Sequence, residues 1–181
     1  VYKRQMDTVI VIKIDNSLDY LIKDLLEVET HLLKLTKEHL NTYMAGRTLG
    51  QHALPITFGK KTGTWLAENR RNIERLEHIR SKVQRSGILK GAVGSYLGLG
   101  KQAIETEAIM MKKLGLAEPS KDDWHGIRDV FAEYAVTLAI ISKSFGRIGN
   151  ELTLLQMTEL GETEEMSLIH ISEPTRPTPI A

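Results

Sequence analysis

Cysteine is absent from the 181 residues. That excludes disulfides, thiolate zinc sites and a thiol nucleophile. Aromatic residues make up only 6%, so leucine and isoleucine must do most of the packing. An excess of one charge is missing too: 24 Lys+Arg stand against 23 Asp+Glu, a net charge of +1. Such a balance leaves no basic footprint for nucleic acid. No apolar run approaches the ~20 residues that cross a bilayer, and no signal peptide is visible. What remains is 41% apolar residues in a chain long enough for one domain with a core. The expectation is a soluble, cytoplasmic, helical protein with no membrane or nucleic-acid partner.

The two ends read as foreign to the fold. Val1-Tyr2-Lys3-Arg4 can be encoded by GTG TAT AAG AGA, whose reverse complement encodes Ser167-Leu168-Ile169-His170. One end is thus readable as the antisense of the other, like inverted transposon ends used in library preparation. Pro174, Pro177 and Pro179 forbid a regular helix in the tail. Residues 1–5 and 167–181 are therefore expected to be adaptor-derived, leaving 6–166 as a helical domain incomplete at both ends.

Val11, Ile14, Leu18, Leu21, Leu25, Val28, Leu32 and Leu35 alternate in steps of three and four. This spacing predicts a long helix from Thr8 to about Asn41. A β-rich start over 9–14 is its rival, since β-branched residues cluster there. Gly46–Pro55 breaks the pattern and reads as a loop. A second helix runs from Thr57 to about Arg85, with Trp65, Ile73, Leu76, Ile79 and Val83 on its apolar side. Five glycines between Gly87 and Gly100 mark a turn. A third helix covers about 101–114, closed by Gly115. A last stripe joins Phe131, Tyr134, Leu138, Ile141, Phe145, Ile148, Leu152 and Leu155. Gly146 and Gly149 inside it predict close approach of a neighbouring helix. The fold class read from this is all-α, an elongated bundle of long helices with no sheet.

The segment 46–55 concentrates Arg47, Thr48, Gln51 and His52 between two long helices. Arg47 offers a fork of donors for a carboxylate, and His52 can transfer a proton. The same residues would equally serve a connector that satisfies buried backbone. Trp124, His125 and Arg128 open the last helix, where the dipole favours either an anion or a capping acid. Gly91–Tyr96 is glycine-rich but lacks Lys-Ser/Thr, so it is no phosphate loop. His31, His39 and His78 read as solvated.

Residues 44–59, Met-Ala-Gly-Arg-Thr-Leu-Gly-Gln-His-Ala-Leu-Pro-Ile-Thr-Phe-Gly, resemble the GRTH-x-x-H-A-x-P-x-T-F-G segment of the fumarase/aspartase superfamily. The branch indicated is that of adenylosuccinate lyase and 3-carboxy-cis,cis-muconate cycloisomerase. Residues 91–96 resemble its GA-x-G-T segment, 124–129 its WHTQRD segment, 154–162 its LLxQTExGE segment, and Met6-Asp7-Thr8 the end of its TSQD-x-x-DT loop. The resemblance implies a central helical-bundle domain, a homotetramer, and active sites shared between subunits. It implies anti elimination through an aci-carboxylate carbanion, without metal or organic cofactor. On that basis Arg47, Thr48, Gln51, Trp124, His125 and Arg128 are expected to bind a small dicarboxylate, with His52 as the catalytic group.

Departures accompany the match. Leu49 stands where adenylosuccinate lyases place a proposed acid histidine and where cycloisomerases usually have Trp. Trp124 stands near an expected Gln, and Val130 replaces a frequent Arg. The family's GSS-x-MP-x-K-x-NP serine loop is not in the chain, so this polypeptide alone is expected to be inactive. The function expected of the parent is fumarate-releasing C–N cleavage. Its rivals are carboxymuconate lactonisation and a non-catalytic helical oligomerisation module.

Overall fold

The computed structural model describes residues 2–91, 93–121 and 126–164. Its elements are α1 (Tyr2–Glu38), β1 (Tyr43–Thr48), β2 (Gln51–Thr57), α2 (Phe58–Gln84), α3 (Ala103–Lys113) and α4 (Asp129–Leu155). The chain divides into two compact units, Val1–Ile141 and Ser142–Ala181.

The heptad of α1 is its packing edge. Val11, Leu18, Leu25 and Leu32 recur every seven residues and are all buried. They lie along an antiparallel α2, whose Trp65, Ile73, Leu76, Ile79 and Val83 are buried in turn. Each such side chain contributes about 1.5–3 kcal/mol by leaving water. Helix, not strand, therefore wins over residues 9–14. Helical backbone also extends through residues 2–5, while 167–181 lie outside the described residues.

Polar links fix the register of the pair. Asn69 Nδ2 donates to the Leu25 carbonyl at 2.8 Å, and the Thr36 and Thr62 hydroxyls meet at 3.0 Å. Arg80 reaches Asp15 at 3.0 Å and Asp19 at 2.7 Å. At the joined end, Gly59 N–H donates to the His39 carbonyl and Phe58 N–H to the Thr42 carbonyl, each at 2.9 Å. Donors left over at the start of α2 thus serve acceptors left over after α1. A Cβ on Gly59 would stand 2.7 Å from the His39 oxygen and 2.8 Å from that of Thr36. His39, expected to be solvated, is instead half-buried, bonded to Thr42 at 3.0 Å and edge-on to the Phe58 ring.

The expectation of no sheet is corrected. Residues 43–57 form a two-stranded antiparallel hairpin, not a loop. Its physical cause is a two-residue turn at Leu49-Gly50, flanked by β-branched Thr48, Ile56 and Thr57, which closes a ladder the helices do not need. In the first unit α4 is tied to both long helices: Tyr134 OH lies 3.1 Å from Ser17 Oγ, and Lys82 Nζ donates to Glu133 at 2.8 Å. In the second unit Leu155 is buried, and its carbonyl accepts from Glu162 N–H and Thr163 N–H. The close helix approach expected at Gly146 and Gly149 is not found among the described residues; a Cβ at either would meet nothing within 4 Å. No helix among the described residues is long and apolar enough to cross a membrane.

Candidate functional site

The hairpin is built by two backbone devices. At the tip, Leu49 (φ 53°) and Gly50 (φ 71°) are both left-handed, as a tight turn matching the strand twist requires. Left-handed backbone costs a residue with a Cβ about 1–2 kcal/mol, so Gly50 is free of a penalty that Leu49 bears. Below the tip, Ala45 pairs with Pro55 and Arg47 with His52. Two residues, Ala53 and Leu54, therefore oppose Gly46 alone, which is a bulge on β2. The bulged Leu54 carbonyl lies over Gly46; a Cβ there would be 2.3 Å from that oxygen.

This register decides which side chains share a face. Residues directly opposite one another point the same way, and neighbours along a strand alternate. Arg47 and His52 form one cross-strand pair, Thr48 and Gln51 the next, on the opposite face. The four expected site residues are thus brought onto one element but in two pairs, not one converging cluster. Arg47 is half-buried; Thr48, Gln51 and His52 are exposed, and Leu49 is 96% exposed. One face can offer a guanidinium fork beside an imidazole, the other a hydroxyl beside an amide.

The other predicted residues lie elsewhere. Arg128 Nη1 bonds the buried Asp7 carboxylate at 3.1 Å, and its guanidinium stands 5.7 Å over the Phe131 ring. Trp124 and His125 lie outside the described residues. The start of α1, and with it Asp7, is fastened to the segment after α2: Thr8 Oγ1 donates to the Ile88 carbonyl at 3.2 Å and accepts from Ile88 N–H at 3.3 Å. The hairpin adjoins the opposite end of the helix pair. From Thr8 to Thr36 is 28 residues of α1, about 40 Å at 1.5 Å per residue. Arg128 and the Arg47 pair therefore cannot meet on one small ligand within a single chain.

Sequence reasoning missed the device that holds the glycine-rich segment. Glu107 is 1% exposed; Oε1 accepts from Leu89 N–H and Oε2 from Tyr96 OH, each at 2.6 Å. Tyr96 is itself left-handed, at φ 59°, and its N–H donates to the Lys90 carbonyl. Buried Lys90 donates to the Ser120 carbonyl. The signal was present: Ala103, Glu107 and Met111 recur every four residues, which puts a carboxylate in the buried stripe of α3. Nearby, a polar cavity of about 610 Å³ is lined by Lys82, Arg85, Ser86, Ser120, Lys121 and Asp129.

Comparison with known proteins places this geometry in a family. The sequence family described as Lyase matches residues 4–170. N-acetyl-S-(2-succino)cysteine lyase of Dickeya dadantii is 41% identical over 160 residues, 88% of this chain and 35% of that protein. Adenylosuccinate lyase of Pyrococcus horikoshii is 38% identical over the same shares. A 3-carboxy-cis,cis-muconate cycloisomerase of Pseudomonas aeruginosa is 36% identical over 162 residues, 88% of this chain and 34% of that one. Among solved structures, a fumarate lyase from Mesorhizobium superposes with a TM-score of 0.87 at 35% identity, covering 93% of this chain and 40% of that one. The chain spans about a third of the length of the curated relatives it matches. With the family matched over most of its length, and by relatives on both sequence and fold, the chain belongs to the lyases of the fumarase/aspartase superfamily.

Proposed function

We propose that the full-length protein containing this chain releases fumarate from a succinyl group carried on a heteroatom. Two of the relatives bear that unit in their names, one on sulfur and one as adenylosuccinate. The observation that carries the reading is the hairpin register: it sets a guanidinium and an imidazole side by side on an exposed element. A proton leaves the carbon beside one carboxylate, and negative charge grows on that carboxylate as a dianionic aci form. Arg47 stabilises this charge with a fixed fork of donors, more strongly than it stabilises the ground state. Thr48 and Gln51 lie on the hairpin's other face, so they would serve a carboxylate in a second site formed when chains associate. His52 moves or holds a proton, and the bond to the heteroatom then breaks.

Arg128, with Trp124 and His125, contributes to a site only when chains associate. The separation of about 40 Å along α1 supports this: the hairpin of one copy would have to meet the Arg128 end of another. The assembly proposed is a homotetramer. A second reading, lactonisation of a carboxymuconate, is favoured by the cycloisomerase relative.

The test is turnover by the full-length protein of adenylosuccinate, N-acetyl-S-(2-succino)cysteine and 3-carboxymuconate. Fumarate from either succinyl compound, lowered by about 100-fold or more in Arg47→Ala, is the expected result. Consumption of carboxymuconate alone would move the assignment to the cycloisomerase. No turnover of any of the three would leave a non-catalytic oligomerisation module.

A further inference from the structure

The hairpin joins the helix pair through residues 39–42 on one side and directly from Thr57 to Phe58 on the other. Its strands pack closely on one another and, through β2, on α2. Further out the arm stands clear, with residues 48–55 all exposed. The direction in which it leaves the helices is therefore set at its base.

One side chain there touches the roots of both strands. His39 Nδ1 lies 3.0 Å from Oγ1 of Thr42, the residue before β1. The same ring meets that of Phe58, the residue after β2, edge-on with centroids 5.2 Å apart. Phe58 stands edge-on to Trp65 at 6.5 Å, and Trp65 is buried in α2. The imidazole thus links the aromatic pair of α2 to the root of β1. Either tautomer makes the Thr42 bond, because a hydroxyl both donates and accepts. Backbone bonds close the base beside it: the Thr42 carbonyl accepts from Phe58 N–H and the His39 carbonyl from Gly59 N–H.

Small errors at this base are magnified at the candidate site. Arg47 lies about 13 Å beyond Tyr43, at about 3.3 Å per residue of strand. A rotation of about 5° at the base moves the Arg47–His52 pair by about 1 Å, a displacement that can cost about 100-fold in rate.

We propose that His39 is a positioning residue: it fixes the direction of the hairpin and, through it, the place of the Arg47 guanidinium against the growing carboxylate charge. This deepens the fumarate-releasing reading above and rests on it. His39 touches no substrate and gives the reaction no proton; Arg47 acts, and His39 places it.

The experiment uses the full-length protein and whichever of adenylosuccinate and N-acetyl-S-(2-succino)cysteine it turns over. His39→Ala should lower kcat by about tenfold to 100-fold with little change in KM, because Arg47 serves the transition state more than the ground state. Amide exchange of residues 43–57 should accelerate while α1 and α2 keep their protection. His39→Asn, whose amide can bond Thr42, should lose less, and it keeps the question answerable if the alanine variant does not fold. The decisive variant combines His39→Ala with Arg47→Ala. A residue that works through Arg47 has little left to lose there, so the double variant should stay within about threefold of Arg47→Ala alone. The proposal is overturned if the two losses multiply, if hairpin exchange in the His39 variants matches wild type, or if exchange rises throughout α1 and α2 as well. If wild type releases no fumarate from either compound, the elimination reading fails by itself. Faster exchange confined to 43–57 would then still uphold His39 as the residue that fixes the hairpin, and unchanged exchange would overturn it.

Discussion

Two residues of this chain hold the same costly backbone geometry for opposite reasons. Tyr96 turns left-handed at one end of the helix pair, in a segment held by a buried carboxylate, a buried lysine and a backbone bond from Tyr96 N–H to the Lys90 carbonyl. Leu49 turns left-handed beyond the other end, with its side chain in water. At Tyr96 the strain is offset inside the chain and the result is a rigid segment. At Leu49 no offsetting contact is found among the described residues, and the side chain stands in water. Similar torsion angles thus mark a braced segment in one place and a solvent-exposed turn in the other.

The largest effect expected from this contrast is at Glu107. Glu107→Ala leaves the Leu89 N–H and the Tyr96 hydroxyl without their acceptor in a buried setting, a loss of about 3 kcal/mol. Glu107→Gln keeps one acceptor and should lose about half as much. Urea unfolding of the full-length protein measures both. Equal stability of wild type and the alanine variant would show that the segment is not held by this carboxylate.

Gly46→Ala comes next. The added carbon would sit 2.3 Å from the Leu54 oxygen, so the bulge must open, at about 2 kcal/mol. The damage should stay in the hairpin: amide exchange of residues 43–57 accelerates, while the α1–α2 pair keeps its protection. Fumarate release should fall with it, because the Arg47–His52 pairing depends on that register. Faster exchange throughout α1 would mean that the hairpin is part of the helical core after all.

Leu49→Asn works in the other direction. Asparagine tolerates the left-handed region, so the variant should gain about 0.5–1 kcal/mol in stability. Urea unfolding of the full-length protein measures it, and no gain would show that the left-handed backbone at Leu49 carries no net cost in the fold.

How much of this was legible in the sequence follows from periodicity. The seven-residue spacing of Val11, Leu18, Leu25 and Leu32 announced α1 because burial on one face forces that spacing whatever the partner. Register within 43–57 was not legible, since a two-residue turn leaves no long-range pattern. Only the Gly after Leu49 marked it, and glycine marks loops and turns alike. The residues of the candidate site were found by type, but their division into two faces depends on the bulge opposite Gly46, which no composition reveals. Glu107 was hidden for a different reason: a charged residue in an apolar stripe looks like noise until its two donors, 18 and 11 residues away, are in place.

The last effect is one expected not to vary with pH. Arg80 spans Asp15 and Asp19 across the helix pair that carries the hairpin. Partial burial works against its charge. The hydrogen bond and charge of Asp15, followed by those of Asp19, outweigh that burial and raise the guanidinium above its ordinary value. A raised value in the folded state means the contribution is complete below the unfolded value and is lost only as pH climbs through the folded one. For a guanidinium both lie beyond the range in which the protein would be studied. Arg80→Met should therefore cost about 1 kcal/mol, and the arginine's own titration should not change that difference between about pH 6 and about pH 10. Any change of stability with pH across that range would therefore have to arise at groups other than this guanidinium, so the Arg80→Met difference separates the contribution of the bridge from theirs.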